Sequence, residues 1–151
     1  LLAGLNLLIE YLLPAWSLRR RYGKFPRLSP TRVYLEPFSP SSVLLIVLAA
    51  AAEEWVFRQL IFQLAQNGLG LPLPWICLFS AGCYALNHVY FGRLAVTQKF
   101  CSGLVFSLLY WLTGYSLGTV VLCHSLQNLF LYWYASRQHG PQRQITQEAG
   151  S

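Results

Sequence analysis

The sequence predicts an all-α fold: a polytopic transmembrane helix bundle of about five helices. Three observations predict it. Apolar residues make up 55% of the 151 residues and charged residues only 11%, against about 25% charged in an ordinary soluble domain. The apolar residues fall into runs of near-membrane length separated by short polar connections. The basic residues are confined to alternate connections, as positive-inside sorting requires.

The first run, about Leu1 to Leu18, is interrupted by Glu10 and Pro14 and is the weakest of the five. The second, Ser41 to Gln66, opens with SVLLIVLAAAA before it meets charge. The third, Pro74 to Phe91, follows the turn-prone GLGLPLP. The fourth extends from about Arg93 to Thr113, polar at its start and apolar from Phe100. The fifth, Leu117 to Ala135, follows the punctuation Thr113-Gly114-Tyr115-Ser116. Most approach the ~20 residues that carry a helix across a bilayer. Helices are expected because hydrocarbon cannot satisfy free backbone groups.

Charge distribution supports the segment count. With one crossing per run, residues 19–32, Arg93, Lys99, Arg137 and Arg143 all fall on one side. The opposite connections, 67–73 and 114–116, contain no Lys or Arg. The basic face is then cytoplasmic. Ten of the eleven basic residues lie there, counting Arg93 and Lys99 in the polar start of the fourth run, and only Arg58 lies in the apolar body of a run.

The net charge of +6 is therefore juxtamembrane patterning, not a nucleic-acid-binding stripe, and its partners are lipid headgroups. The chain divides into residues 1–40 (an apolar helix and basic cytoplasmic loop), 41–135 (a transmembrane core) and 136–151 (a polar, mobile cytoplasmic tail). Cys77, Cys83, Cys101 and Cys123 lie in apolar runs without Cys-x-x-Cys pairing and read as small hydrophobes. The sequence has no Met and opens inside an apolar run, so it reads as a fragment, and the run lacks the basic leader of a cleavable signal.

Against this background the charged stretch AAEEWVFRQLIFQ in the second run stands out. A charged residue at mid-membrane costs roughly 2.5–3.5 kcal/mol. Glu54 and Arg58 stand at i, i+4 with the acid first, the favourable order for an ion pair. Glu53 projects about 100° away round the helix and is free to face something else. The competing reading is a purely structural buried ion network.

Two other runs carry polar groups of catalytic type. Asn87 and His88 lie near the end of the third, and His124 and Asn128 line one face of the fifth at i, i+4. Taken alone, His88 reads as a satisfied interfacial histidine and the His124–Asn128 pair as ordinary interhelical hydrogen bonding. Gln127 points about 100° away from Asn128 and is set aside. Counted at about 1.5 Å per residue, Glu53, His88 and Asn128 reach a similar depth, with His124 about one turn off.

That combination suits hydrolysis. A carboxylate and an imidazole can share one water as base and proton donor, and a second imidazole with a carboxamide can donate to an oxyanion. Zinc ligation by Glu53, His88 and His124 is an alternative, weakened by the lack of a His-Glu-x-x-His signature. No cofactor and no metal are expected.

Glu-Glu-x-x-x-Arg, then an aromatic-x-x-x-His, then His-x-x-x-Asn in order over residues 43–135 resembles the CAAX protease and bacteriocin-processing family of glutamate-type intramembrane endopeptidases, also called ABI. The resemblance implies that Glu53 and His88 activate the attacking water. It implies that His124 and Asn128 form the oxyanion hole and that Glu54 and Arg58 support the site. One departure is visible: Tyr84 stands where the second motif usually begins with Phe. The resemblance implies a peptide or lipidated-protein substrate, as in members that trim prenylated CAAX proteins, and the short loops suggest a bacterial cell membrane. A non-catalytic immunity or scaffold factor with the same motifs is the remaining alternative.

Overall fold

A computed structural model describes residues 39–148 and eight helical positions among the first twenty: Gly4, Asn6, Leu8, Ile9, Leu12, Trp16, Arg19 and Arg20. Side chains are described through Tyr134 and at Ser136 and Arg137. The basic loop expected before residue 39 lies outside the described residues, apart from Arg19 and Arg20.

The described residues are helical and include no strand. Four helices follow in order: α1 (Pro40–Gly68), α2 (Leu73–Leu86), α3 (Arg93–Leu112) and α4 (Leu117–Glu148). A single 3₁₀ turn, Val89–Phe91, lies between α2 and α3. These correspond to the second through fifth apolar runs. The last helix runs on through the polar segment expected to be a mobile tail. By length and apolarity α1 passes as a membrane-crossing helix, and α2 is apolar but shorter.

Local chemistry sets the boundaries. Ser39 caps α1 by accepting from the Ser42 N–H at 3.2 Å, and Pro40 occupies the first turn, where no N–H is needed. At the far end the Leu71 N–H closes on Ala65 O, and Gly70 takes φ 60°, which a glycine adopts without strain. Proline at residues 72 and 74 then opens α2. Gly92, at φ 91°, turns the chain from the 3₁₀ segment into α3. Gly114 and Tyr115 both hold positive φ, and the Tyr115 N–H closes on Tyr110 O at 2.8 Å to end α3.

Inside α1 the ladder leaves α geometry twice, with π-helical turns at Trp55–Leu60 and Leu64–Gly68. The first begins directly after Glu53-Glu54.

Successive short connections place the α1–α2 and α3–α4 turns at one end and the α2–α3 turn at the other. The hydrophobic core of Phe62, Ala65, Ile76, Phe106, Tyr110 and Val120 fills the first of these ends. Polar groups gather one to three turns away, toward the second. Helices α2 and α3 approach closely because residue 103 is glycine: a Cβ there would stand 3.0 Å from the Ala81 Cα. A buried hydrogen bond, Asn6 Nδ2 to Gln127 Oε1 at 2.7 Å, ties the first segment to α4.

Candidate active site

The two glutamates that end the α-helical part of α1 part company. Glu54 is fully buried and Arg58 with it, their charges paired at 3.1 Å between Nε and Oε2. This is the pairing expected from the i, i+4 spacing. Glu54 also takes a second partner that spacing alone does not reveal: His124 Nδ1 lies 2.7 Å from its Oε1. A carboxylate carrying two such contacts across two helices is locked in orientation.

Glu53, by contrast, is 27% exposed and meets two imidazoles at longer range. Its Oε1 lies 4.0 Å from His88 Nε2, and its Oε2 lies 3.8 Å from His124 Nε2. Both separations exceed a direct hydrogen bond. The carboxylate thus faces the Nε2 edges of two imidazoles.

His88 is oriented by its own helix end. Its Nδ1 lies 2.9 Å from Tyr84 O. A carbonyl can only accept, so a proton sits on Nδ1 and Nε2 is the ring nitrogen turned toward Glu53. Phe106 stacks on the His124 ring at 4.9 Å between centroids, which fixes its plane. His124 is 1% exposed and His88 15%, so one imidazole is enclosed and the other faces the opening.

Arg58 carries the rest of the scaffold. Its guanidinium lies over the Tyr84 ring at 4.7 Å and near Phe106 at 5.5 Å, and its Nη2 donates to Gly103 O at 3.3 Å. Aromatic faces and a backbone carbonyl offset part of the cost of burying the cation.

Five of the six residues singled out in the sequence, Glu53, Glu54, Arg58, His88 and His124, therefore meet. Asn128 follows His124 by one turn on α4, half-buried, and its carboxamide makes no hydrogen bond among the described residues. Gln127, set aside earlier, is buried and held by Asn6. Sequence reasoning missed Ser80, Gly103 and Phe106. The first had a signal: Ser80, Tyr84 and His88 recur every four residues. Gly103 and Phe106 had none, because one acts through a carbonyl and a missing Cβ and the other through ring packing.

Among the described residues no three His, Cys, Asp or Glu side chains group as a metal site. In these terms the arrangement offers a solvent-reachable carboxylate, two imidazoles of different exposure, and a buried ion pair behind them.

No curated protein and no solved structure matches the chain. A family model described as "Type II CAAX prenyl endopeptidase Rce1-like" matches residues 36–130, which takes in α1, α2, α3 and α4 as far as Phe130. Because that match covers more than half of the chain and all six of these residues, the protein belongs to the type II CAAX prenyl endopeptidase Rce1-like family of proteases.

Proposed function

We propose that the chain is a multi-pass intramembrane endopeptidase that hydrolyses a peptide bond of a CAAX-type, lipidated substrate with water activated by Glu53 and His88. The observation that carries this reading is the division of labour between adjacent carboxylates. Glu54 is buried and fully engaged, while Glu53 is partly exposed and faces His88 and His124 at 4.0 and 3.8 Å.

A water about 2.8 Å from both a Glu53 oxygen and His88 Nε2 would see them at roughly a right angle, close to the angle between its own hydrogens. Glu53 takes one proton as the water oxygen attacks the peptide carbonyl. The proton then passes to the departing amine as the carbon–nitrogen bond breaks, without a covalent intermediate. His124 and Asn128 donate to the developing oxyanion. With its Nδ1 edge committed to Glu54, His124 presents its Nε2 edge to the site.

Membrane residence is supported by an inside-out distribution of polarity. Leu44, Leu45 and Leu48 of α1, Trp75 and Phe79 of α2, and Leu122 and Leu126 of α4 are exposed. Glu54, Arg58, Ser80, Ser102 and His124 are buried.

The test is cleavage of a farnesylated CAAX reporter peptide by purified protein in detergent, wild type beside Glu53→Ala and His88→Ala. Both variants are expected to fold and to lose turnover entirely. Near wild-type cleavage by either one refutes the assignment. Chelators should leave the wild type unaffected, and a loss restored by zinc would favour a metalloprotease on the same residues.

A further inference from the structure

The π-helical turn that follows Glu54 shifts the backbone bond of Ile61 and meets a hydroxyl donor from α2. In an α-helix the Ile61 N–H would bond Phe57 O, but here it reaches five residues back to Val56 O. The Phe57 carbonyl instead accepts from the Ser80 hydroxyl of α2 at 2.6 Å. Ser80 is fully buried and the bond part-buried, so loss of this donor would leave the Phe57 carbonyl short of a hydrogen bond where little water reaches it.

What the turn holds gives this bond its importance. Arg58 lies inside the turn and, from there, pairs with Glu54 and enters between Tyr84 and Gly103. Glu54 in turn receives His124 Nδ1. Ser80, Tyr84 and His88, four residues apart along one face of α2 and the turn after it, thus meet three successive features of α1: the Phe57 carbonyl, the Arg58 guanidinium and the Glu53 carboxylate.

We propose that Ser80 is a positioning residue of the site. Its hydroxyl holds the π turn open, and the turn keeps Arg58, Glu54 and His124 aligned. Without that donor the cheapest way to satisfy Phe57 O is to take back the Ile61 N–H. The helix would then rewind by one residue and withdraw Arg58 from its place. The kinetic consequence rests on the proteolytic reading above, but the alignment itself does not.

Two readouts separate them. In the cleavage assay Ser80→Ala should lower kcat about tenfold with KM within about twofold, and Ser80→Thr, which keeps the hydroxyl, should restore most of the rate. Independently of activity, nitrogen-15 NMR of the three histidines in detergent reads the His124 Nδ1–H bonded to Glu54. That proton resonance should move or broaden in Ser80→Ala and return in Ser80→Thr. Should the alanine variant not fold, Ser80→Cys, with its weaker donor, carries the same comparison. An unchanged His124 resonance in Ser80→Ala overturns the proposal whatever the rate does, as does a folded Ser80→Thr that behaves like alanine. If wild type cleaves nothing, the proteolytic reading fails and the resonance alone decides the role of Ser80.

Discussion

Glu53 and Glu54 are chemically identical and adjacent, so their different environments predict opposite phenotypes. Replacing Glu54 by Ala strands Arg58 in a buried site and removes the acceptor of His124. Breaking a buried pair from one side typically costs about 3–5 kcal/mol, so Glu54→Ala should lower the melting temperature in detergent sharply. Glu53→Gln removes the charge of a partly exposed carboxylate that stands 4.0 and 3.8 Å from the two imidazoles. It should leave the melting temperature nearly unchanged while turnover disappears. Equal melting temperatures for the two variants would contradict the division. A milder effect is expected one turn along α4, where Asn128→Ala should lower kcat by about 10²–10³-fold if the carboxamide donates to the oxyanion. The Glu54–Arg58 pair was legible because helical spacing is local arithmetic. The bond from His124 to Glu54 spans 70 positions of sequence, and no periodicity encodes which of two neighbouring carboxylates an imidazole from another helix will meet.

At the scale of elements, the apolar runs located all four described helices, because turn chemistry at Gly70-Leu71-Pro72, Gly92 and Gly114 punctuates them. Hydropathy could not show the two π-helical turns in α1, which alter hydrogen-bond register without altering composition. Nor could it locate the end of α4, since composition turns polar near residue 136 while the backbone stays helical. The contact between α2 and α3 predicts a further outcome. Gly103→Ala would press its Cβ to within 3.0 Å of the Ala81 backbone and 3.2 Å of the Tyr84 ring. Main-chain atoms cannot yield as a side-chain tip does, so the helices must separate, at a cost of about 1–3 kcal/mol. The same shift moves the carbonyl that accepts from Arg58. Gly103→Ala should therefore lower both melting temperature and turnover, whereas Gly118→Ala, with open space around its Cα, should change neither.

For the whole molecule the open question is how the four helices stand in a bilayer, and the sequence and fold together make a definite prediction. Antiparallel helices put the 68–72 and 113–116 turns at one end and the 87–92 turn at the other. The first two turns carry no Lys or Arg, whereas Arg93 and Lys99 begin the helix after the third, so the third is expected on the cytoplasmic face. Leu69 in one turn and Tyr90 in the other are 71% and 96% exposed, which makes both suitable reporter positions. The four native cysteines are half-buried and are first replaced by serine or alanine. In intact cells an impermeant thiol reagent should then label Leu69→Cys readily and Tyr90→Cys only after permeabilisation. The membrane reading requires this asymmetry. Glu53 and His88 sit next to the 87–92 turn, so labelling of Tyr90→Cys from outside would put the proposed site near the opposite face from the one the basic residues predict. Labelling of both positions from one side would mean that α2 does not cross at all, and the buried charges of α1 would then need an explanation other than intramembrane hydrolysis.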